Sequence, residues 1–323
     1  STVHSTRNPG PATATEHDAG YPLSTMLTFD FSFVATYFCF PPLLLYVVLS
    51  WIHHLFLEHC PSHDHQRRTV LVTGCASGIG QQITRTLLAN NDIVLGLDLH
   101  KQPPTSERQT NTFHYYSCDI ANPTSVASCA TTIAHDHGRT TIDAIVNCAG
   151  INRGGPLVEM SSDHMESILA VNVLGSVNIT RSFFPLLSAC RPTLIYISSE
   201  VGYSQITSAF NTPYSMSKIC LESYVVGLRQ EMSLLPHPPQ VVVVNPGAMK
   251  TPLLKDSIKY GFTPRKGSRW SEQMQRGGAV AVEYMKKHGQ DPIEVAKVVW
   301  EIVHDEAPKR RYLVGVSWEM RLA

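Results

Sequence analysis

The chain has no surplus of either charge, no dense set of cysteines and no internal repeat, and each absence removes a class of protein. Its 323 residues carry 26 basic and 26 acidic side chains, so no global field recruits nucleic acid or drives adsorption to acidic lipid. The eight cysteines (Cys39, Cys60, Cys75, Cys118, Cys129, Cys148, Cys190, Cys220) are scattered and form no C-x-x-C pair. That spacing excludes a small disulfide-stapled secreted domain and points to reduced thiols facing the cytosol. Without a fixed period, solenoids and propellers are excluded as well. The length suits one large α/β domain with an appendage, and is too short for two enzymes.

Charge is also absent locally. From Phe31 to Leu57 there is no Asp, Glu, Lys or Arg, and the run from Phe33 to Ile52 is almost wholly apolar. Twenty helical residues rise about 30 Å, the thickness of a bilayer's hydrocarbon core. A membrane-spanning helix is expected, with Trp51 as an interfacial anchor and with Pro41 and Pro42 kinking it or turning it into a re-entrant hairpin. Arg67 and Arg68 follow the run, whereas Arg7 precedes it among Glu16, Asp18 and Asp30. This asymmetry places the C-terminal part in the cytosol. The organisation read from these features is a disordered leader over 1–28, a membrane anchor over 29–58, a linker over 59–68 and a catalytic domain over 69–323. Five histidines between His53 and His65 lie beside Cys60. They read as a polar linker and no metal is expected, because no second ligand cluster is spaced to complete a tetrahedron.

After the linker, short β-branched runs alternate with longer helical patterns. Strands are expected at Thr69–Thr73, Ile93–Leu97, Phe113–Ser117, Ile142–Val146, Thr193–Ile197, Gln240–Val244 and Tyr312–Gly315. Such alternation implies an α/β fold with a doubly wound parallel sheet of about seven strands and helices on both faces. The four consecutive valines at 241–244 suit a strand buried on both sides.

The first expected strand runs directly into Thr73, Gly74, Cys75, Ala76, Ser77, Gly78, Ile79 and Gly80, which open a helix. Glycines there let the backbone approach a pyrophosphate, and the helix N-terminus supplies free N–H groups and a favourable dipole. The second strand ends in Asp98, about 20 residues beyond the glycine loop, where a carboxylate accepts bonds from the adenosine ribose and repels a 2′-phosphate. With no basic residue inside the loop, NAD is expected in preference to NADP, although Lys101 lies close in sequence.

Tyr214 and Lys218, four apart, share one face of a helix. A free phenol is a poor base at neutral pH, and an adjacent ammonium is expected to favour phenolate, so that Lys218 tunes Tyr214 as a general acid and base.

In order along the chain, TGCASGIG at 73–80, Asp119 in CDI, NCAG at 147–150, Asn172 in VNVLG, Ser199 in ISSEVG, Tyr214 and Lys218 in YSMSK, and NPGAMKT at 245–251 resemble the short-chain dehydrogenase/reductase family. The resemblance covers 69–323 and implies a Rossmann-type domain. It implies that Asn172, Ser199, Tyr214 and Lys218 are catalytic. Ser199 would position the substrate oxygen, and Asn172, in a long helix, would hold a water relaying protons from Lys218. Ser198 competes for the serine role, but Ser199 lies three before Gly202, as in the family's turn. Its 15-residue separation from Tyr214 exceeds the family's commoner 13 and implies a two-residue insertion between Tyr203 and Pro213. Asp119 would contact adenine, while Asn147, Ala149 and Gly150 would form the turn beneath the cofactor, with Cys148 replacing the family's second Asn. Pro246, Gly247 and Thr251 would grip the nicotinamide end.

Residues 252–290 correspond to the family's substrate lid, with Phe262, Trp270, Met274, Val280, Tyr284 and Met285 expected to line a hydrophobic cleft. The tail PKRRYLVG is similar to the membrane-bound retinol and 17β-hydroxysteroid dehydrogenase branch. The expected activity is NAD-dependent hydride transfer to or from a lipophilic alcohol or ketone of retinoid, steroid or lipid type. The expected location is a membrane, the endoplasmic reticulum, with the catalytic domain facing the cytosol and homo-dimers or tetramers as the assembly. Two rival readings are an NADPH-dependent reductase of a ketoacyl or ketosphingoid lipid and a catalytically idle dinucleotide-binding membrane scaffold.

Overall fold

A computed structural model describes residues 67–100, 111–137, 141–264 and 266–316. The leader, the anchor expected over 29–58, the histidine-rich linker and Lys101 lie outside the described residues.

Seven strands form one sheet: β1 (Thr69–Thr73), β2 (Ile93–Asp98), β3 (Phe113–Ser117), β4 (Ala144–Asn147), β5 (Thr193–Ile197), β6 (Gln240–Pro246) and β7 (Arg311–Val314). Their spatial order is β3-β2-β1-β4-β5-β6-β7, and every neighbouring pair is parallel. The main helices are α1 (Gly78–Ala89), α2 (Pro123–Asp136), α3 (Ser162–Leu169), α4 (Gly175–Phe183), α5 (Glu200–Ser204), α6 (Thr212–Met232), α7 (Pro252–Phe262), α8 (Ser271–His288) and α9 (Ile293–His304).

Period-two alternation explains why the strands are apolar without interruption. Val70, Val72, Val242 and Val244 join Ile83, Leu87, Val299 and Ile302 in one core layer, beneath α1 and α9. Leu71, Val241 and Val243 join Val126, Ile179, Leu221 and Val225 in the other, beneath α2, α4 and α6. The four-valine run therefore feeds both faces. The helical stretch Ser162–Leu186 is apolar and long enough to cross a membrane by composition. Its Ile168, Ile179 and Phe183 are fully buried, as in a core helix.

Four strands differ from expectation: β2 and β6 run on to Asp98 and Pro246, and β4 and β7 are shifted. Ile142 makes only an isolated bridge to Leu187, and β4 begins at Ala144. Between them Asp143 uses its carboxylate on the Thr69 N–H at 2.8 Å. At the last strand, Gly315 adopts φ +65° and ends β7.

After β3 the chain returns to the opposite side of β1, so strand order reverses between β1 and β4. The resulting crevice at the carboxyl ends of the strands is where open α/β sheets bind ligands. Thr73, Asp98, Asn147, Ile197 and Pro246 all close their strands at this edge.

Candidate active site

The glycine turn between β1 and α1 has little freedom to be anything else. Gly74 and Gly78 take φ +70° and +56°, which side-chain-bearing residues rarely adopt. A Cβ on Gly80 would lie 2.2 Å from the Gly74 carbonyl oxygen. Ser77 occupies the N-cap of α1 without a side-chain cap bond, leaving the first N–H groups facing outward. The Ala76 N–H donates to Asp98 Oδ2 at 2.9 Å, so the carboxylate at the end of β2 closes over the loop. Ile79 faces the neighbouring cavity.

Thr73 is buried at the end of β1. Its hydroxyl accepts from the N–H groups of Cys148 and Ala149 at 3.0 and 3.1 Å, so it clamps β1 to the NCAG turn and is spent within the protein. Asp119 is exposed and accepts from Ala121 N–H at 3.0 Å. In the NCAG turn, both amide atoms of buried Asn147 lack hydrogen-bond partners among the described residues. Ala149 packs against Gly74, where a Cβ would come within 2.8 Å. Burial pushes the Cys148 thiol up to about 12. An uncapped helix start, a turn that tolerates no side chain and a carboxylate at the second strand's end together fit a dinucleotide.

Asn172 lies in a π turn, Ala170–Leu174, between α3 and α4, and not in an uninterrupted α-helix. Such turns often mark functional positions. Its Oδ1 accepts from Ile151 N–H at 2.8 Å, and its Nδ2 donates to the Ile151 carbonyl and to Ser217 Oγ, each at 2.9 Å. This side chain is thus engaged as a clamp on the loop backbone that follows NCAG. Gly150 is wedged beside it, since a Cβ there would lie 3.2 Å from Asn172 Oδ1 and 3.9 Å from Lys218 Nζ.

Tyr214, Lys218 and Ser199 converge. The Ser199 hydroxyl neighbours the Tyr214 phenol closely enough to pull its pKa down, and both residues line the same cavity. Lys218 Nζ lies 5.7 Å from the centre of the Tyr214 ring and donates to the Ile197 carbonyl at 2.8 Å. Both Ser198 and Ser199 line the cavity, but Ser198 Oγ is buried without a partner among the described residues and points toward Gly202, whose Cβ would meet it at 2.6 Å. The expected tuning of Tyr214 by Lys218 is corrected. Burial pushes the phenol up to about 12, only partly opposed by Ser199, and pulls Lys218 down to about 8. Desolvation penalises phenolate and ammonium alike.

A network that the sequence reading missed fixes Ser199 from behind. Asn245 Nδ2 donates to the Ser199 carbonyl at 2.9 Å and to Glu222 Oε1 at 2.6 Å. Arg311 spans Asn245 Oδ1 at 2.6 Å and Glu222 Oε2 at 2.7 Å. These residues come from α6, β6 and β7, and no local motif links Glu222 or Arg311 to the serine.

In front of Tyr214 opens a cavity of about 1120 Å³. Pro246, Gly247 and Thr251 form its inner side. Phe262, Trp270, Val280, Tyr284 and Met285, from α7, α8 and their connection, line the outer side as expected of the lid. Met274 does not line it: fully buried, it serves as packing beneath α8. Phe210, with φ +66° in the inserted loop, also lines the cavity and meets the Phe262 ring edge-on at 5.9 Å. Glu200 completes the wall; burial raises its carboxyl to about 7.

A glycine-turn crevice beside a buried serine, tyrosine and lysine defines a nicotinamide-dependent oxidoreductase of the doubly wound class. A family model described as short chain dehydrogenase matches residues 68–259, and the chain belongs to that family. It is 30% identical over 258 residues to an NADPH-dependent 3-dehydrocapnine reductase from Ornithobacterium rhinotracheale, covering 77% of this chain and 88% of the relative. It is likewise 30% identical over 192 residues to an NADPH-dependent pterin aldehyde reductase from Arabidopsis thaliana, covering 58% and 77% respectively. A short-chain dehydrogenase structure from Streptomyces avermitilis superposes with a TM-score of 0.65 at 22% identity, covering 79% of this chain and 90% of that one.

Proposed function

We propose that this oxidoreductase interconverts a secondary alcohol and its ketone within a largely apolar substrate. The buried Tyr214 hydroxyl, beside Ser199 at the wall of a largely apolar cavity, carries this reading. A bound nicotinamide would supply or accept the hydride. Thr73, Gly74, Ser77, Gly78, Ile79 and Gly80 would shape the diphosphate turn, Asp98 would take the ribose, and Asn147, Ala149, Gly150, Pro246, Gly247 and Thr251 would support the nicotinamide half. Tyr214 would give its proton to the carbonyl oxygen in reduction and take it back in oxidation, with Ser199 holding that oxygen within reach. Asn172 and Lys218 would keep the NCAG loop and the end of β5 in register around the phenol.

NAD is the dinucleotide that Asp98 favours, because its carboxylate repels a 2′-phosphate. A second reading, NADPH-dependent ketone reduction, is favoured by the NADPH dependence of the two reductases this chain resembles. A phenol that retains its proton also suits reduction. The apolar lid supports a retinoid, steroid or other lipid substrate, and the uncharged run from Phe31 to Leu57 supports delivery from a membrane, with the endoplasmic reticulum the proposed location. Exposed Met216 and Val226 on α6 are compatible with assembly into dimers or tetramers. The test is to assay detergent-solubilised protein with NAD, NADP and their reduced forms against retinoid, steroid and long-chain alcohols and ketones. Activity in wild type that vanishes in Tyr214→Phe supports the proposal. Equal activity in the two proteins overturns it in favour of the idle scaffold.

A further inference from the structure

The cavity wall contains buried polar atoms that the proton-transfer residues leave unused, on Asn152, Ser198 and Glu200, and of these only Glu200 can carry a charge. Among the described residues lining the cavity, Glu200 is the only carboxylate, and no lysine or arginine lines it. Its Oε2 is buried and lacks a hydrogen-bond partner among the described residues. The same atom would lie 3.2 Å from a Cβ on Gly247, which places it against the inner side of the cavity. Its charge is also felt by the Tyr214 phenol. Glu200 directly follows Ser199, so the carboxylate and the proton donor border the same small region.

An unpaired buried carboxylate is costly unless a cation or donor meets it. Burial raises its pKa, and no lysine or arginine among the described cavity-lining residues offsets the cost. Proteins retain such groups where a ligand supplies the missing partner, and a site built around a buried polar group rejects analogues that leave it unpaired.

Resting on the proposed alcohol–ketone reaction, we infer that Glu200 receives an ammonium group on the carbon next to the reacting carbon, so that the substrate is a vicinal amino alcohol or its α-amino ketone with an apolar remainder. The amine takes no part in bond making. Hydride moves between the reacting carbon and nicotinamide, the proton moves between the oxygen and Tyr214, and Glu200 holds the neighbouring ammonium by a charge-assisted hydrogen bond. The apolar remainder lies against the lid residues Phe262, Trp270 and Met285.

The experiment compares three alcohols of one chain length: a vicinal amino alcohol, the matching vicinal diol and the plain secondary alcohol. Purified full-length protein is assayed with NAD and with NADP, as wild type, Glu200→Gln and Glu200→Leu. NADH and NADPH binding are titrated by fluorescence, and melting temperatures verify folding. The expected result is a wild-type kcat/KM for the amino alcohol about tenfold or more above that for the plain alcohol. In both variants this ratio collapses toward unity, chiefly through KM. A ratio unchanged in the variants overturns the assignment while leaving the alcohol–ketone reading intact. So does an equal loss on all three substrates with weakened dinucleotide binding, which puts the carboxylate on the cofactor. A wild-type preference for the diol over the amino alcohol overturns the ammonium. If wild type oxidises none of the three yet turns over other lipid alcohols through Tyr214, the inference alone fails; if Tyr214→Phe changes nothing on any substrate, the reaction itself fails with it.

Discussion

At the scale of single residues, the chemistry depends on a phenol that burial keeps protonated and a lysine that burial makes easier to neutralise. Tyr214→Phe is expected to lower kcat/KM by about 10²- to 10⁴-fold, the usual worth of a positioned proton-transfer group, with dinucleotide binding retained in a fluorescence titration. Lys218 is pulled down to about 8, so its ammonium, present at neutral pH, is lost as pH rises through that value. Carbonyl reduction should therefore be level below about pH 8 and fall above it, and Lys218→Met should abolish that limb along with most of the activity. A limb that persists in Lys218→Met assigns the titration to another group. At the other end of the crevice, Asp98→Ser should shift the ratio of kcat/KM values toward NADP by about tenfold or more, by removing the anion that opposes a 2′-phosphate. Tyr214 and Lys218 were legible in the sequence because a helical repeat fixes their common face. The direction of their pKa shifts was not, because desolvation depends on what the rest of the chain places over them.

At the scale of elements, Ser199 is held by strands far apart in sequence. Arg311 in β7 braces Glu222 in α6, and both brace Asn245, which holds the Ser199 carbonyl. Arg311→Leu should lower stability by about 1–2 kcal/mol, less than for a fully buried pair because the arginine is partly exposed. It should also lower kcat more than it raises KM for a substrate that wild type turns over, since the serine turn loses its backing. Urea denaturation and steady-state kinetics read the two effects separately. A loss of stability with unchanged kcat would reduce the network to a packing role. The π turn and the insertion between Tyr203 and Pro213 act at this scale too. The first aims Asn172 at the Ile151 backbone, and the second carries Phe210 to the lid.

At the scale of the whole molecule, one ion pair ties the last helix to the start of β2, far from the crevice. His304 Nε2 lies 3.2 Å from Asp92 Oδ1, and this bond holds the imidazole above its ordinary value of 6.5. A raised folded-state pKa contributes stability that is fully present below the unfolded value and is lost as pH rises through the folded one. The urea midpoint of wild type should therefore exceed that of His304→Gln most at about pH 6, and the gap should narrow as pH rises past the folded-state pKa. A gap independent of pH would mean that packing of the ring, and not its charge, supplies the difference.

The sequence by itself determined the parallel sheet, the glycine turn and the placing of Thr73, Asp98, Asn147, Ser199 and Pro246 at one edge, because strand and helix periods and turn residues are local properties of the chain. It also set Tyr214 and Lys218 one turn apart. Only the tertiary structure decided that Thr73 is a clamp, that Asn172 is engaged by a backbone loop and that Met274 is core. It alone placed Glu222 and Arg311 behind Ser199, and an unpartnered carboxylate oxygen of Glu200 in the wall of a largely apolar cavity. Those outcomes depend on hydrogen bonds and desolvation between segments tens of residues apart, which no local pattern encodes.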